Sequence, residues 1–477
     1  MGISAVPFAS VTFVPDEAYM MRPYASRDLI KRPVDLKSHS AFFAIDPWTR
    51  CWAICSRADT ELLDLCDGRT RLSEIIRRLL ASPSDMLPRV SYFLERGLLF
   101  VNEEDHRKAG TPVYNSCEPV GLHLEITNAC NMTCTHCYVS SGKKRPNELT
   151  LEEIYKTIDM LPAFSGKRIA ISGGEPAVRK DCADILEYCA VKCGHDVDLY
   201  TNGKKFPAAL AEKILQINRQ KLGTVRIQLS LEGANAISND LVRGIGSFNA
   251  AMESLRYFQE IRLNRSVVIF VCLTKSNIHE VDPLIRLAED HDVAMLVFSQ
   301  WQRQGNANNT PWRSIAPSME EWVAAGEHIL SYQNPRLQIY GNFFGDLNNS
   351  LTGRFDPRSE QFPKHIYFYN AFPRITPEGD VFADQLWVDP DWVLGNVRSE
   401  TLAECFQKTK FYEQLNAMRK RVERVPECQA CPWVKLCEAG SPGHTYAEYG
   451  NMYHRDVFCE SRIYWFEHFV TQKIKNA

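Results

Sequence analysis

Three cysteines fall within eight residues in the stretch Cys130-Asn-Met-Thr-Cys134-Thr-His-Cys137. A strand-like apolar run, Gly121-Leu-His-Leu-Glu-Ile-Thr127, precedes this stretch, and turn-forming residues follow it. Three thiolates at this spacing can hold three irons of a [4Fe–4S] cluster, which leaves the fourth iron without a protein ligand. A structural zinc site is the alternative, but such sites usually join one C-x2-4-C pair to a second pair nearby. The stretch therefore predicts an iron–sulfur cluster with one open position.

A second motif, Gly173-Gly-Glu-Pro176, ends another strand-like run that begins at Ile169. Glycine has no Cβ, so its backbone can approach a ligand closely. A C-x3-C-x2-C triad followed by this turn resembles the radical S-adenosylmethionine (radical SAM) enzymes. The resemblance implies that the open iron binds the amino and carboxylate groups of SAM. It also implies cleavage of SAM to a 5′-deoxyadenosyl radical that removes hydrogen from a substrate.

The resemblance also places SAM contacts in the turns that follow three strand-like runs. In the phrase S-L-E-G…N-D-x-x-R-G, Ser230 is expected to contact the ribose or carboxylate, and Arg243 to pair with the carboxylate. A later turn, 302–307, departs from the usual family pattern, which leaves its part in binding open. The predicted cofactor-binding residues are Gly173, Gly174, Glu175, Pro176, Thr201, Asn202, Ser230, Glu232 and Arg243.

Strand and helix patterns alternate between residues 120 and 312, and this alternation predicts an α/β fold with a parallel sheet. By resemblance, this part is a (β/α)6 partial TIM barrel with its chemistry at the carboxyl ends of the strands. The predicted strands are Leu122–Thr127, Arg168–Ser172, Asp196–Thr201, Val225–Ser230, Ser266–Leu273 and Ala294–Gln300.

Residues 15–103 form a first block with strand-like runs at 41–45 and 51–55, followed by three helix patterns. The block resembles the winged-helix-like recognition element of peptide-modifying enzymes, which is similar to the small peptide chaperone of pyrroloquinoline quinone biosynthesis (PqqD). The resemblance implies that it binds a leader peptide by adding a strand. A generic helical adaptor and a DNA-binding winged helix are the alternatives. The polar stretch 102–110 is predicted to be a linker.

A third block, 365–470, contains the spacing Cys428-x2-Cys431-x5-Cys437 and, further on, Cys459. It resembles the SPASM extension of peptide-modifying radical SAM enzymes, and this implies that the four cysteines ligate an auxiliary [4Fe–4S] cluster. Zinc is the alternative for these cysteines taken alone. Asp384 and Ser441 stand where a second auxiliary cluster would need cysteines. We therefore predict one auxiliary cluster.

The composition is that of an average globular protein, with 45% hydrophobic and 24% charged residues. A net charge of −3 gives no general electrostatic reason to bind nucleic acid or an anionic membrane. No signal-peptide pattern or apolar run of membrane-spanning length is present, so we expect a cytoplasmic protein. The sixteen cysteines argue for metal or redox use over disulfides. Eight of them, at 51, 55, 66, 182, 189, 193, 272 and 405, are predicted to be small buried hydrophobes, and Cys117 a free loop thiol.

Taken together, the three resemblances imply a maturase for a ribosomally made peptide or a small protein subunit. The implied reaction is intramolecular thioether cross-linking of a cysteine sulfur to a carbon, with an electron leaving through the auxiliary cluster. Carbon–carbon cross-linking, oxidative decarboxylation of the mycofactocin type and epimerisation stay open, as does a scaffold that keeps its clusters only for structure. The implied partners are a precursor peptide, bound through its leader, and a flavodoxin- or ferredoxin-type electron donor. No general base can be named.

Overall fold

A computed structural model describes residues 15–36, 39–47, 49, 51–110, 119, 121–163, 165, 167–301, 303–309, 312–332, 334–341, 372–437 and 439–475. Cys117 and Gln302, which two of the predictions involve, lie outside these residues. None of the helices within the described ranges combines the length and apolarity that a bilayer crossing requires.

The N-terminal block is a three-stranded antiparallel sheet packed against helices. The strands β1 (Ile30–Leu36), β2 (His39–Ile45) and β3 (Trp52–Cys55) lie in the order β1-β2-β3. The helices are α1 (Pro15–Met20), α2 (Arg57–Leu65), α3 (Leu72–Arg78) and α4 (Pro83–Glu95). The predicted strands and helices are present, whereas β1 was not predicted because its run contains two cations, a proline and an aspartate.

The predicted linker is wrong in its local structure, because residues Glu103–Gly110 form helix α5. Ion pairs one turn apart, Glu103 with Arg107 and Glu104 with Lys108, stabilise its exposed face. On the other face, His106 is buried and its Nε2 lies 2.8 Å from a carboxylate oxygen of Asp46, just after β2. The helix therefore packs on the N-terminal block.

The central sheet confirms the predicted alternation of strands and helices. Six parallel strands are neighbours in chain order: β4 (Gly121–Thr127), β5 (Arg168–Gly173), β6 (Asp196–Thr201), β7 (Val225–Leu231), β8 (Val267–Leu273) and β9 (Met295–Gln300). The helices that follow them are α6 (Leu151–Ile158), α7 (Cys182–Glu187), α8 (Ala208–Gln220), α9 (Ala236–Arg243), α10 (Ser247–Glu260), α11 (Val281–Asp290), α12 (Trp312–Ile315) and α13 (Met319–Ser331).

Four further strands extend the sheet beyond the six that were predicted. β10 (Gln338–Gly341) pairs in parallel with β9, and β11 (Arg374–Ile375) pairs in parallel with β4 at the opposite edge. β12 (Asp380–Phe382) and β13 (Gly395–Asn396) continue from β11 as antiparallel neighbours. The C-terminal block thus contributes strands to the central sheet. The domain limits 15–103, 120–312 and 365–470 stay predictions.

Side chains alternate along β4 between two different surroundings. Leu122, Leu124 and Ile126 join the main hydrophobic core together with residues of the surrounding helices. His123 and Glu125 point to the other side, where they contact polar groups of neighbouring strands and loops. β4 therefore has one apolar face and one polar face.

The C-terminal block is mostly helical and contacts the N-terminal sheet. Its helices are α14 (Leu402–Gln407), α15 (Thr409–Arg419), α16 (Arg421–Arg424), α17 (Pro426–Gln429), α18 (Val434–Cys437), α19 (Pro442–Tyr449) and α20 (Cys459–Lys475). Arg32 of β1 binds Glu467 of α20 at 2.6 Å and lies over the ring of Trp433, 5.7 Å from its centroid. The N-terminal sheet is thereby attached beside the second group of cysteines.

Candidate functional site

The first three cysteines lie in a loop at the carboxyl end of β4. The backbone N–H of Cys130 donates to the carbonyl of Gly142 at 2.8 Å, and that of Ser141 donates to the sulfur of Cys137 at 3.3 Å. On the other side, the N–H of Thr135 donates to the carbonyl of Val242, the penultimate residue of α9. All three cysteines are half-buried. The loop is thus held at both ends while its thiols stay accessible.

The turn after β5 packs directly against this loop. A Cβ on Gly173 would stand 2.2 Å from the carbonyl oxygen of Thr127, and a Cβ on Gly174 would stand 2.2 Å from that of Ala129. Gly173 also has φ of +127°, which side chains disfavour. Glycine is required at both positions by the approach of the cysteine loop.

Glu175 is buried and its carboxylate joins this turn to the next one. It accepts hydrogen bonds from the N–H of Ala177, the hydroxyl of Thr201 at 2.8 Å and the N–H of Asn202 at 2.7 Å. Burial raises the pKa of Glu175, and these hydrogen bonds oppose that rise. Asn202 then reaches the cysteine loop, because its amide donates to Asn131 at 2.9 Å and lies 3.9 Å from the sulfur of Cys130. The geometry makes Glu175 a positioning group for the loop.

A second polar group forms around Glu232, after β7. One carboxylate oxygen of Glu232 accepts hydrogen bonds from Nη1 of Arg243 at 3.1 Å and from Nε2 of His136 at 2.9 Å. The other oxygen accepts a hydrogen bond from the backbone N–H of Cys272. Arg243 is buried, yet its Nε has no hydrogen-bond partner among the described residues. An unpaired buried donor is costly, so this guanidinium is suited to an anionic ligand.

Other residues of the N-D-x-x-R-G phrase have structural roles. The side chain of Asn239 bonds the N–H of Glu232 and the hydroxyl of Ser247. Asp240 accepts from the N–H groups of Gly246 and Phe248, at the start of α10. These hydrogen bonds therefore fix the position of the helix end that carries Arg243.

Two of the residues predicted to contact SAM, Pro176 and Ser230, take no part in the hydrogen bonds around Glu175 and Glu232. Pro176 is buried as the first residue of a short 3-10 helix, Pro176–Val178. Ser230 is half-buried in β7, and its hydroxyl has no hydrogen bond within the described residues.

The turn whose role was left open contacts the cysteine loop. Asn306 donates its side-chain amide to the carbonyl of Cys134 at 3.0 Å and its backbone N–H to that of Cys137 at 2.9 Å. A Cβ on Gly305 would stand 2.4 Å from the carbonyl oxygen of Cys137. The ring of Trp301 lies 5.2 Å from that of His136. This turn thus holds the third cysteine in place.

A buried polar network beneath the loop was not predicted. His123 bonds the hydroxyls of Tyr138 and Ser172 at 3.0 and 2.7 Å, and Arg374 forms a two-point ion pair with Glu125 at 2.7 and 3.0 Å. Burial lowers the pKa of His123 to about 4, so its ring is neutral. The sequence signal that could have predicted this network is the alternation of His123 and Glu125 with apolar residues in β4.

The second group of cysteines surrounds a cavity. Its volume is about 270 Å³, and all four predicted cysteines line it, together with Trp433, Phe466 and Arg462. Cys428, Cys431 and Cys437 come from the segment around α17 and α18, and Cys459 begins α20. Four thiols that face one mostly apolar cavity fit an enclosed iron–sulfur cluster.

Comparison with known proteins accords with this arrangement. Residues 124–288 match the family model of the Radical SAM superfamily. This stretch is a radical SAM domain. The mycofactocin maturase MftC of Mycolicibacterium smegmatis is 28% identical over 329 residues, which cover 68% of this chain and 78% of that relative. The Fe-coproporphyrin III synthase of Methanosarcina barkeri is 26% identical over 359 residues, covering 70% and 86% respectively.

A solved structure extends the likeness beyond the radical SAM domain. Streptococcus suis SuiB, crystallised with S-adenosylmethionine, has a TM-score of 0.58 at 16% identity, over 92% of this chain and 100% of that one. The predicted fold class, a radical SAM partial barrel with N- and C-terminal extensions, is confirmed. The protein is a radical SAM enzyme, and its cofactors include a [4Fe–4S] cluster and SAM.

Burial disfavours the thiolate form of three of the predicted ligand cysteines. Burial raises the pKa of Cys130 and Cys428 to about 11 and that of Cys437 to about 12. Cluster assembly therefore has to displace protons from them. Within the described part of the chain, no three His, Cys, Asp or Glu side chains converge on a single-ion site. In a [4Fe–4S] cluster, each cysteine binds a separate iron, so its ligands need not converge on one point.

Asp384 and Ser441 are used within the protein. Asp384 accepts a hydrogen bond from the N–H of Leu386, and Ser441 caps α19 by accepting from the N–H of His444. Burial raises the pKa of Asp384 to about 7.

The eight cysteines predicted to be structural divide into two groups. Six are buried, while Cys51 and Cys272 are only half-buried, and the backbone N–H of Cys272 contacts Glu232.

Proposed function

We propose that this protein is a maturase that oxidatively modifies a ribosomally made peptide, by intramolecular thioether cross-linking of a cysteine sulfur to a carbon. The observation that carries the proposal is the four-cysteine cavity, which the same chain combines with the open cysteine triad of a radical SAM domain. The triad fits a site where a small molecule is cleaved. The tetrad fits a closed centre that receives or supplies electrons.

Each set of residues has a distinct part in the proposed site. Cys130, Cys134 and Cys137 hold the cluster that binds SAM, and the glycines at 173–174 let the turn after β5 pack closely against the cysteine loop. Arg243 pairs with the SAM carboxylate through its unpartnered face, while Glu232 holds the guanidinium in place. When bound and reduced, the cluster and SAM supply a 5′-deoxyadenosyl radical.

The N-terminal sheet is proposed to bind the leader of the precursor peptide along β3. In the described residues β3 pairs only with β2, so one edge of it is open to another strand. The opposite edge strand, β1, is less suited because Pro33 lacks an N–H and because Arg32 is engaged by Glu467.

Cys428, Cys431, Cys437 and Cys459 are proposed to hold one auxiliary [4Fe–4S] cluster. With all four ligands supplied by protein, the cluster has no position for substrate sulfur, so electron transfer is the role that it fits. A second auxiliary cluster is not proposed, because Asp384 and Ser441 are engaged in hydrogen bonds of the fold. The free thiols and the two oxygen-sensitive centres fit the cytoplasm.

Thioether formation fits an oxidation that removes two hydrogens from the peptide. One leaves as a hydrogen atom from carbon, and the other leaves the thiol as a proton, with one electron released. Decarboxylation, carbon–carbon cross-linking and epimerisation use the same first step. Because the chain is similar to an Fe-coproporphyrin III synthase, a tetrapyrrole is the alternative substrate that the experiment must exclude.

The test is the mass of the peptide encoded beside the gene, after anaerobic incubation with reconstituted enzyme, SAM and reductant. We expect a loss of two hydrogens per site, with the modified cysteines unreactive to alkylation. Loss of two hydrogens with free thiols indicates another bond, and loss of carbon dioxide indicates decarboxylation.

The matched control is the same peptide without its leader. If the N-terminal sheet binds the leader, the truncated peptide is modified more slowly while 5′-deoxyadenosine is still formed. A peptide unchanged in mass, together with turnover of Fe-coproporphyrin III or its precursors, contradicts the proposal.

A further inference from the structure

The inner face of the central sheet, which is the face that carries His123 and Glu125, has two parts with different packing. The pairing of the strands places Glu125 beside Ser172 and Tyr200 beside Gln228. The first pair belongs to the buried hydrogen-bond network beneath the cysteine loop. The second pair lies outside this network, on β6 and β7.

Gln228 is a buried polar side chain whose carboxamide is not satisfied by the fold. Its neighbours in β7, Ile227 and Leu229, join the main hydrophobic core, so Gln228 projects from the inner face. Gln228 is 8% exposed, and its Oε1 has no hydrogen-bond partner among the described residues. A buried amide without a partner lowers the stability of the folded protein. Such a group indicates a ligand that supplies the missing hydrogen bond.

The side chains around Gln228 are only partly covered. Tyr200 in β6, Ser230 in β7 and Phe270 in β8 are all half-buried, and the hydroxyl of Tyr200 has no hydrogen bond within the described ranges. Paired strands lie about 4.8 Å apart, so the side chains of Tyr200 and Gln228 can reach the same ligand group. Ser230, a predicted SAM contact, is two residues closer to the carboxyl end of β7. The pair therefore lies deeper in the sheet than the predicted SAM site.

The charges on the inner face are balanced. Arg226 donates to both carboxylate oxygens of Asp198, at 2.8 and 3.1 Å. Arg168 lies 3.2 Å from Asp198 and 3.8 Å from Asp196. Arg374 is held in the two-point ion pair described above. Each cation that the structure describes on this face below the SAM site is thus paired, so the open part suits a neutral group.

We propose that Tyr200 and Gln228 bind the backbone amide of the peptide residue that the enzyme modifies. An amide offers one N–H donor and one C=O acceptor, and a glutamine carboxamide and a tyrosine hydroxyl can each donate and accept. Because the cations of this face are paired, the site selects a residue inside a peptide chain over a group with a free carboxylate, such as a C-terminal residue or a tetrapyrrole. The inference rests on the proposed function and names the chemical group that the site selects.

The experiment measures peptide use and stability of the reconstituted full-length enzyme. Gln228→Leu removes a donor and an acceptor at similar volume, and Tyr200→Phe removes only the hydroxyl. The matched control is Gln216→Leu, at an exposed position of α8. Three peptides are compared: the one encoded beside the gene, a synthetic form with an ester in place of the amide of the modified residue, and a form that ends at that residue in a free carboxylate.

We expect the KM for the peptide to rise by about tenfold in Gln228→Leu and by a smaller factor in Tyr200→Phe, as is typical for the loss of neutral hydrogen bonds. More 5′-deoxyadenosine should be released per modified peptide, because a misplaced residue is missed by the radical. The ester and the free carboxylate should each weaken binding to the unmodified enzyme by about tenfold. The ester should have little further effect on Gln228→Leu, since both changes remove the same hydrogen bond.

The unfolding midpoint separates a binding role from a structural one. Because the Gln228 Oε1 is unpaired without peptide, Gln228→Leu should keep or raise the midpoint, whereas the loss of a structural hydrogen bond would lower it. A lowered midpoint, an unchanged KM, or equal binding of the free carboxylate would overturn the inference. If the unmodified enzyme binds the peptide without changing its mass, the proposed function fails, and peptide binding by calorimetry then decides the role of the pair. If it neither binds nor modifies the peptide, both proposals fail.

Discussion

The two groups of cysteines differ in their surroundings more than in their residues. The triad of Cys130, Cys134 and Cys137 lies on a half-exposed loop beside polar turns, whereas the tetrad of Cys428, Cys431, Cys437 and Cys459 encloses a largely apolar cavity. In the proposed function, the triad leaves one ligand position to a small molecule, and the tetrad leaves none. The comparison teaches that ligand number and enclosure together separate the site proposed for bond cleavage from the site proposed for electron transfer.

The largest effect on activity is expected from removing one cysteine of the triad. We predict that Cys134→Ala lowers 5′-deoxyadenosine formation by more than about a thousandfold, because the three ligands act as a unit. The iron content should fall while the absorption of the tetrad cluster remains. Cys405→Ala, which removes a buried thiol outside both groups, is the control and should keep full activity. Substantial SAM cleavage by Cys134→Ala would refute the assignment of the triad.

Removal of a tetrad ligand should separate the two reactions. Cys437→Ala is expected to abolish the oxidised peptide product while changing SAM cleavage by less than about tenfold, since effects at distant sites are largely independent. The loss of a structural centre should also lower the unfolding midpoint, by roughly 5 °C. Iron analysis, product mass and calorimetry of the same sample test both parts. Equal loss of both reactions would remove the distinction between the two centres.

The smallest expected effect is on the pH dependence of stability and concerns Asp384. This residue lies in the segment that contacts both the triad region and the tetrad region. The side chain of Gln304, from the turn against Cys137, contacts the carbonyl of Leu386, and the side chain of Leu386 packs against Gly443 of α19. Burial raises the pKa of Asp384 to about 7, whereas an unfolded chain has an aspartate pKa of about 3.9. The folded protein therefore binds an extra proton between these values, so its stability falls as the pH rises from about 4 to about 7.

We predict that Asp384→Asn removes roughly 2 to 4 kcal/mol of this pH dependence, measured as the free energy of unfolding in urea at several pH values. Asp391→Asn, at an exposed carboxylate, should leave the slope unchanged. A slope that persists in Asp384→Asn would assign the proton to another group.

The sheet was largely predictable because its signal is local. The predicted limits of β4 to β9 differ from those of the structure by at most one residue at each end, since the buried parallel strands are short apolar runs bounded by turns. The signal failed where residues were polar. Helix α5 reads as a linker, and the hydrogen-bond partner of its buried His106, Asp46, is distant in sequence.

The site was predictable where a motif specifies it and not where tertiary contacts do. The cysteines, Gly173, Gly174 and Arg243 were identified from spacing and resemblance. Asn306 and Arg374 were not, because their partners at 134, 137 and 125 are distant in the chain. Glu175 was expected to contact ligand, and in the structure its carboxylate holds Thr201 and the backbone of Asn202.

The pairing of β11 with β4 means that the C-terminal block cannot be removed without exposing the edge of the central sheet. A fragment that stopped after β10 would leave the edge of β4 open to aggregation and would strip the buried Glu125 of its only cation, Arg374, among the described residues. Breaking a buried pair in this way costs about 3 to 5 kcal/mol. Truncation at that boundary is therefore expected to destabilise the radical SAM domain itself, so the C-terminal block is part of the fold of the central sheet.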